Sequence, residues 1–369
     1  MRIALIAACL LIGIPLGGCA SGPQGGLLRP MKHPAGLMKT ITILAATTRA
    51  PATPEEPGAI YNGERGDALT FAELEINIPL DREKGKLEIA EGEPDPRIHF
   101  ALVASRPITL EQFKAALHDP SRYGGLPRRA LVFTHGYNTK FDAAVFRFAQ
   151  IAADMDFKGV PVLFSWPSRG IIRDYGYDRD SVAYSRDAQQ FTMTTVAEDK
   201  AISGLDIFAH SMGNWLTMET LRQMSIQDEK VVRPKIGTVV MAAPDIDMDV
   251  FKTQTGRIGP LKSKLVIYAS TDDRALALSQ FLFGGKARVG NTGDLSEFKK
   301  LGIEAHDLSA VESGAFEKHG KAFGDPNTIA SIGQMVADRT EDSPNLVHAV
   351  GGVLTLPVRM LGLSNQNSQ

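Results

Sequence analysis

The feature that most restricts the fold is a series of short apolar runs after Pro127, separated by stretches long enough to be helices. The runs lie at 130–134 (ALVFT), 160–165 (VPVLFS), 205–209 (LDIFA), 238–242 (TVVMA), 265–270 (LVIYAS) and 303–308 (IEAHDL). Runs of this length without polar alternation are strands covered on both faces, and such coverage requires helical crossovers. Segments 142–157, 180–198, 212–226, 275–283 and 328–337 are the helical candidates. The expected class is α/β, with a mostly parallel central sheet and helices on both faces. Upstream, 39–49 (KTITILAATTR), 69–80 (LTFAELEINIPL) and 99–105 (HFALVAS) look like strands joined by turns. They most simply extend the same sheet, with a small separate cap as the alternative. Residues 39–369 are thus expected to be one domain, of which 39–127 is a strand-rich extension.

The charge balance, 40 Lys and Arg against 42 Asp and Glu, offers no concentrated positive face, so nucleic-acid partners are not expected. Both cysteines, Cys9 and Cys19, lie near the start, which excludes a disulfide framework or a cysteine-based zinc site in the domain. Met1–Ala20 carries one Arg, an apolar run from Ile3 to Leu16 and then small residues, which is the shape of a secretory signal. Its end, Leu16-Gly17-Gly18-Cys19, resembles the lipobox of bacterial lipoproteins. The resemblance implies a signal peptide over 1–18 and acylation of Cys19. It also implies an envelope location, with the chain lipid-anchored in the outer membrane and facing the periplasm. Residues 19–38 are rich in Gly, Pro and Ser and are expected to be a flexible tether.

Chemistry concentrates where the apolar run 205–209 meets Ala209-His210-Ser211-Met212-Gly213 and then a helical segment. A serine on a tight strand-to-helix turn projects its hydroxyl above the sheet, and small residues on either side let the two elements approach. The helix start directs unpaired N–H groups and its positive dipole end toward whatever binds the serine. In this setting the acid and then the histidine follow the nucleophile. Of the histidines after Ser211, His306 lies inside an apolar run and His348 near the C-terminus, both better suited to packing. His319 lies in a Gly-rich loop after the last strand and is the expected base. Asp273, just past the run 265–270, is the expected acid; Asp272 reads as a turn or helix-capping residue and Asp245 as the runner-up. Tyr137 and Met212 N–H groups are the expected oxyanion donors, with His135, Asn138 and Trp166 as possible pocket residues. For His135 a bracing role is the better reading, and for Trp166 packing is an equal alternative. Tyr175, Tyr177 and Tyr184, near Arg173, Arg179 and Arg186, offer polar contacts, although a solvated helix face explains them as well.

Several strings in order, ATTR at 46–49, INIP at 76–79, HGYN at 135–138, FSWPS at 164–168, AHSMGN at 209–214, AAPDID at 242–247, STDDRAL at 270–276 and HGKAF at 319–323, resemble the DUF900 group of bacterial alpha/beta hydrolases. The resemblance implies an alpha/beta-hydrolase fold and a triad of Ser211, Asp273 and His319. Lys321-Ala322 departs from the small polar and aromatic residues expected in the last string. The resulting expectation is a serine hydrolase acting on a small-molecule or lipid ester, with no metal and no organic cofactor. Acyl transfer or amide cleavage by the same triad, and an inactive hydrolase-fold binding protein of the envelope, are the alternatives.

Overall fold

The computed structural model describes residues 28–31, 39–56, 58–90, 92–123, 128–227, 232–259, 264–283, 287–312 and 318–337. The described residues form nine strands: β1 (Lys39–Pro51), β2 (Tyr61–Ile78), β3 (Ala101–Ile108), β4 (Arg128–Thr134), β5 (Val160–Ser165), β6 (Ile202–His210), β7 (Ile236–Ala242), β8 (Leu265–Ala269) and β9 (Glu304–Asp307). Ten helices accompany them: α1 (Leu110–His118), α2 (Pro120–Tyr123), α3 (Phe141–Asp154), α4 (Tyr175–Glu198), α5 (Met212–Ile226), α6 (Met248–Ile258), α7 (Arg274–Phe283), α8 (Ser296–Lys300), α9 (Lys321–Gly324) and α10 (Pro326–Ala337).

The strands make a single sheet in the order β3-β2-β1-β5-β4-β6-β7-β8-β9. β1 to β3 are an antiparallel meander, and every pairing from β1–β5 onward is parallel. The meander therefore extends the sheet through the β1–β5 pairing, with Leu44 opposite Val162 and Thr47 opposite Ser165. β2 begins at Tyr61, well before the apolar run at 69, because residues 61–65 pair with the end of β1 across two register shifts. Five helices, α1, α2, α6, α8 and α9, lay outside the sequence expectation. α1 is short but carries a capping box between Thr109 and Gln112, and α6 is capped by the Asp247 side chain.

Alternation along each strand divides the core into two layers. Leu44, Ala46, Val132, Ile207 and Met241 pack on the face of α4, α5 and α6. Ile43, Ala45, Leu131, Phe133, Phe208 and Val240 pack on the face of α3 and α10. Leu28 and Met31 are also buried, Leu28 within the second layer and Met31 against Ala101 and Val103 of β3. Contact with the domain thus begins inside the stretch expected to be a tether. Cys19 and His348 lie outside the described residues.

Because Leu163 of β5 has no exposed surface, Leu163→Ala should lower the stability of the domain by about 2–5 kcal/mol, read as a lower urea midpoint at unchanged slope. The same truncation at half-exposed Leu80 should change it by no more than about 0.5 kcal/mol.

Candidate active site

Parallel strands place their C-terminal ends on one rim, and the loops leaving that rim bring the site together. Ser211 links β6 to α5 with φ 51° and ψ −123°, a conformation that non-glycine residues rarely adopt and that lifts its side chain off the sheet. Its backbone is held from three directions. Ser211 N–H donates to Ala242 O at 3.0 Å, while Asp245 N–H at 3.2 Å and Asn214 Nδ2 at 3.2 Å donate to Ser211 O. Two glycines make room for the turn. A Cβ added to Gly213 would lie 2.3 Å from His135 O, and one added to Gly136 would lie 2.9 Å from Ser211 Cβ. The loop after β4 therefore lies directly against the elbow. Met212 opens α5 and Tyr137 follows Gly136, which puts these two backbone N–H groups on the two segments that meet at Ser211.

His319 Nδ1 donates to Asp273 Oδ2 at 2.6 Å. Asp273 also accepts, through Oδ1, the N–H groups of Ala275 and Leu276 at 3.0 and 3.1 Å, and so caps α7. This corrects the assignment of capping to Asp272. Asp273 does both jobs because the helix start fixes one oxygen and leaves the other aimed at the imidazole. Burial works against the charged imidazole of His319, but the charge and hydrogen bond of Asp273 outweigh it and raise its pKa above the ordinary 6.5. His210 stands between elbow and histidine loop: its ring lies 4.6 Å from that of His319, and its Nε2 donates to His319 O at 2.9 Å. Burial, then the neighbouring His319, pushes the His210 pKa far down, so it is neutral with the proton on Nε2.

Of the three possible pocket residues, His135 and Trp166 take the bracing and packing alternatives. His135 and Trp166 are 2% and 0% exposed, with rings stacked 4.9 Å apart and Trp166 Nε1 donating to His135 O. They brace the loop and have no surface to offer a ligand. Asn138, at φ 56°, donates its N–H to Asp178 Oδ2 at 3.2 Å. Behind all three sits Arg49, 1% exposed, whose guanidinium donates to Ser165 Oγ, Asn62 O, Ser168 O, Thr139 O and His135 Nε2 at 2.7–3.3 Å. Arginine only donates, so His135 Nε2 accepts and its Nδ1–H is left for Gly136 O at 2.8 Å. Burial, then the charge of Arg49, pushes the His135 pKa down to about 3. Burial likewise pushes Arg49 down to about 10, which leaves it charged at neutral pH.

Asp245 is a buried carboxylate beside the elbow whose partners are Tyr175 Oη at 3.0 Å, Ser279 Oγ at 2.9 Å and Arg288 Nε at 3.3 Å. Its place in that cluster separates it from the orienting role that Asp273 holds. Tyr177 lies under the guanidinium groups of Arg65 and Arg169, and the Tyr184 hydroxyl donates to Gly66 O, so these two side chains tie α4 to β2. His306 is satisfied within the sheet by Glu304 at 2.8 Å and by stacking on Tyr268. Sequence reasoning missed Arg49, His210 and Asp178. Arg49 was visible only as the last residue of the ATTR string, which does not say what its side chain binds.

Residues 126–339 match the model of the family described as alpha/beta hydrolase of unknown function (DUF900). The chain belongs to this family. An uncharacterized protein of Nostoc sp. is 26% identical over 122 residues, and the chain spans 32% of that relative's length. Among solved structures, the fold is similar to that of an esterase from Pyrobaculum calidifontis, at 12% identity, 59% of this chain, 79% of that one and a TM-score of 0.35. It is similar to a thioesterase of the prodiginine pathway in Streptomyces coelicolor, at 13% identity, 59% of this chain, 87% of that one and a TM-score of 0.35. It is also similar to an esterase from Rhizomucor miehei, at 10% identity, 83% of this chain, 87% of that one and a TM-score of 0.35.

Arg49 lies outside the matched segment yet holds the loop that faces Ser211. Arg49→Met strands several buried acceptors, each costing about 1–3 kcal/mol. The variant should therefore lose about 3 kcal/mol or more in urea unfolding, and Arg49→Lys, which replaces only part of the fork, should fall between it and the parent.

Proposed function

We propose that the protein is a serine hydrolase that cleaves a carboxylic ester of a small molecule or lipid through an acyl-enzyme. The observation that supports this most is the part-buried Asp273–His319 hydrogen bond on the same rim as a serine held at positive φ. In this reading Ser211 Oγ attacks the acyl carbon and passes its proton to His319 Nε2. Asp273 fixes the Nδ1–H tautomer and stabilises the imidazolium. The carbonyl electron pair moves onto oxygen, where the N–H groups of Tyr137 and Met212 receive it, each worth about 3 kcal/mol of barrier. Collapse breaks the bond to the alkoxy group, which leaves with the proton from His319. Water then repeats the sequence on the acyl-serine and releases the acid.

A fluorophosphonate should add once per chain, and intact-mass labelling should lose the adduct in Ser211→Ala. In His319→Ala the labelling rate should drop by about a thousandfold or more. A well-folded parent that stays unlabelled would count against this function and for a non-catalytic role.

The pH dependence follows from the state of His319, which acts as a base only when neutral. Because Asp273 raises its pKa above 6.5, labelling should fall as pH drops through that raised value. Asp273→Asn removes the cause of the rise, so the acidic limb should move to lower pH while the maximal rate falls; a limb that stays in place would remove His319 as the titrating base.

We further propose that Cys19 carries lipid and holds the domain at the bacterial envelope membrane, on the strength of the Leu16–Cys19 pattern. Labelled palmitate fed to a bacterial host should enter the full-length chain and be absent from Cys19→Ser; retention of label in the variant would refute acylation at this residue.

A further inference from the structure

The two carboxylates after β8 divide the work of holding the histidine loop. Asp273 binds the His319 ring, and Asp272 binds the lysines on either side of it, with Lys318 Nζ at 2.9 Å on Oδ2 and Lys321 Nζ at 2.8 Å on Oδ1. The sequence Lys318-His319-Gly320-Lys321 is thus zipped onto Asp272-Asp273. Lys321 is 3% exposed, and its ammonium also donates to Leu308 O at 2.9 Å, with Ser270 Oγ and Ser309 O at 3.3 Å. One cation therefore joins the turn after β8, the turn after β9 and the histidine loop. Burial alone would raise the Asp272 carboxyl, but the hydrogen bonds from Lys321, Ser270 and Lys318 outweigh it and hold it well below the usual carboxylate range. On the opposite side, His210 donates to His319 O.

A fully desolvated lysine is costly to keep, and an apolar side chain of similar length would fill the same space. Packing alone does not call for an ammonium here. The Asp273 hydrogen bond fixes Nδ1 but leaves the ring free to swing about that bond, which carries Nε2 through an arc. What sets the arc is the main chain of residues 318–321, and that main chain is fixed by the lysines.

We infer that Asp272 and Lys321, with Lys318 as a secondary arm, form a positioning clamp that sets the angle at which His319 presents Nε2 to Ser211. Neither residue touches the reacting atoms. The inference rests on the serine-hydrolase reading above. Misplacing a base by about 1 Å costs roughly a hundredfold in rate while leaving substrate contacts in place.

The test compares Asp272→Asn, Lys321→Met and Lys318→Met with the parent in the full-length chain, using p-nitrophenyl acetate for kcat and KM and near-UV circular dichroism for folding. Lys321→Met and Asp272→Asn should lose about 10- to 100-fold in kcat with KM within about twofold, and Lys318→Met, a quarter exposed, should lose about threefold. Lys321→Arg, which keeps the charge, should recover part of the loss. Proton NMR gives a readout that does not depend on catalysis. The His319 Nδ1–H resonance should be sharp in the parent, broadened by exchange in Lys321→Met and lost in Asp273→Asn. Folded Lys321→Met and Asp272→Asn that keep the parental kcat and the sharp resonance would overturn the clamp. If Lys321→Met does not fold, Asp272→Asn and Lys318→Met decide by the same criteria. A parent with a sharp resonance but no turnover and no fluorophosphonate adduct would sink the hydrolase reading; the resonance in Lys321→Met would then decide the clamp alone.

Discussion

The loop that faces Ser211 depends on a buried arginine. Arg49 sits at the end of β1 with its five donors directed at the end of β5, the loop after β4 and the start of β2. Among the described residues its charge is met by carbonyl and hydroxyl oxygens and by His135 Nε2, with Asp178 and Asp142 acting through their charge. Such a charge is tolerated in the interior only when every donor is satisfied, so the acceptors are locked in place as firmly as the arginine. One of them is His135, the residue before Gly136, and Gly136 rests on Ser211. A guanidinium well behind Ser211 thereby fixes the backbone that faces it.

Around this anchor three histidines near Ser211 occupy different electrostatic settings. His135, buried, and His210, half-buried, lie beside positive or potentially positive neighbours and stay neutral, each with one proton placed by a carbonyl acceptor. His319 alone has a carboxylate on its ring, and its pKa moves the other way. The distinction between structural and titrating histidine is therefore drawn by the partner of one nitrogen. Asp273 shows the same economy, with one oxygen committed to the α7 N-terminus and the other to His319.

Much of this was legible in the sequence. The sheet, its parallel character and the elbow at Ser211 follow from apolar runs of strand length and from small residues on either side of the turn. Asp273 and His319 follow from chain order and from their places just beyond strand ends. What stayed hidden were contacts across long separations. Arg49 and Ser165 are 116 residues apart, and nothing local marks them as partners. His210 looks like a filler between strand and serine until its ring is seen against the histidine loop. Lys321 looks like a departure from a pattern because a solvated lysine is the ordinary expectation, and only the nearby Asp272, Leu308 and Ser309 explain its burial. Trp166 was ambiguous for a related reason: periodicity places an aromatic residue on the rim but does not say whether it faces a ligand or a neighbouring ring.

The join between β1 and β5 has a consequence for how the chain reaches this state. The meander of β1, β2 and β3 is local and can pair early, whereas the outer edge of β1 waits for a strand more than a hundred residues downstream, and β4 must insert between β5 and β6. Until β5 and the loop after β4 arrive, Arg49 has only Asn62 O within the meander and water to bond, so most of its desolvation comes late. Docking of the meander and ordering of the loop against Ser211 are then one event, and a half-assembled chain, whatever secondary structure it holds, has no ordered loop facing Ser211.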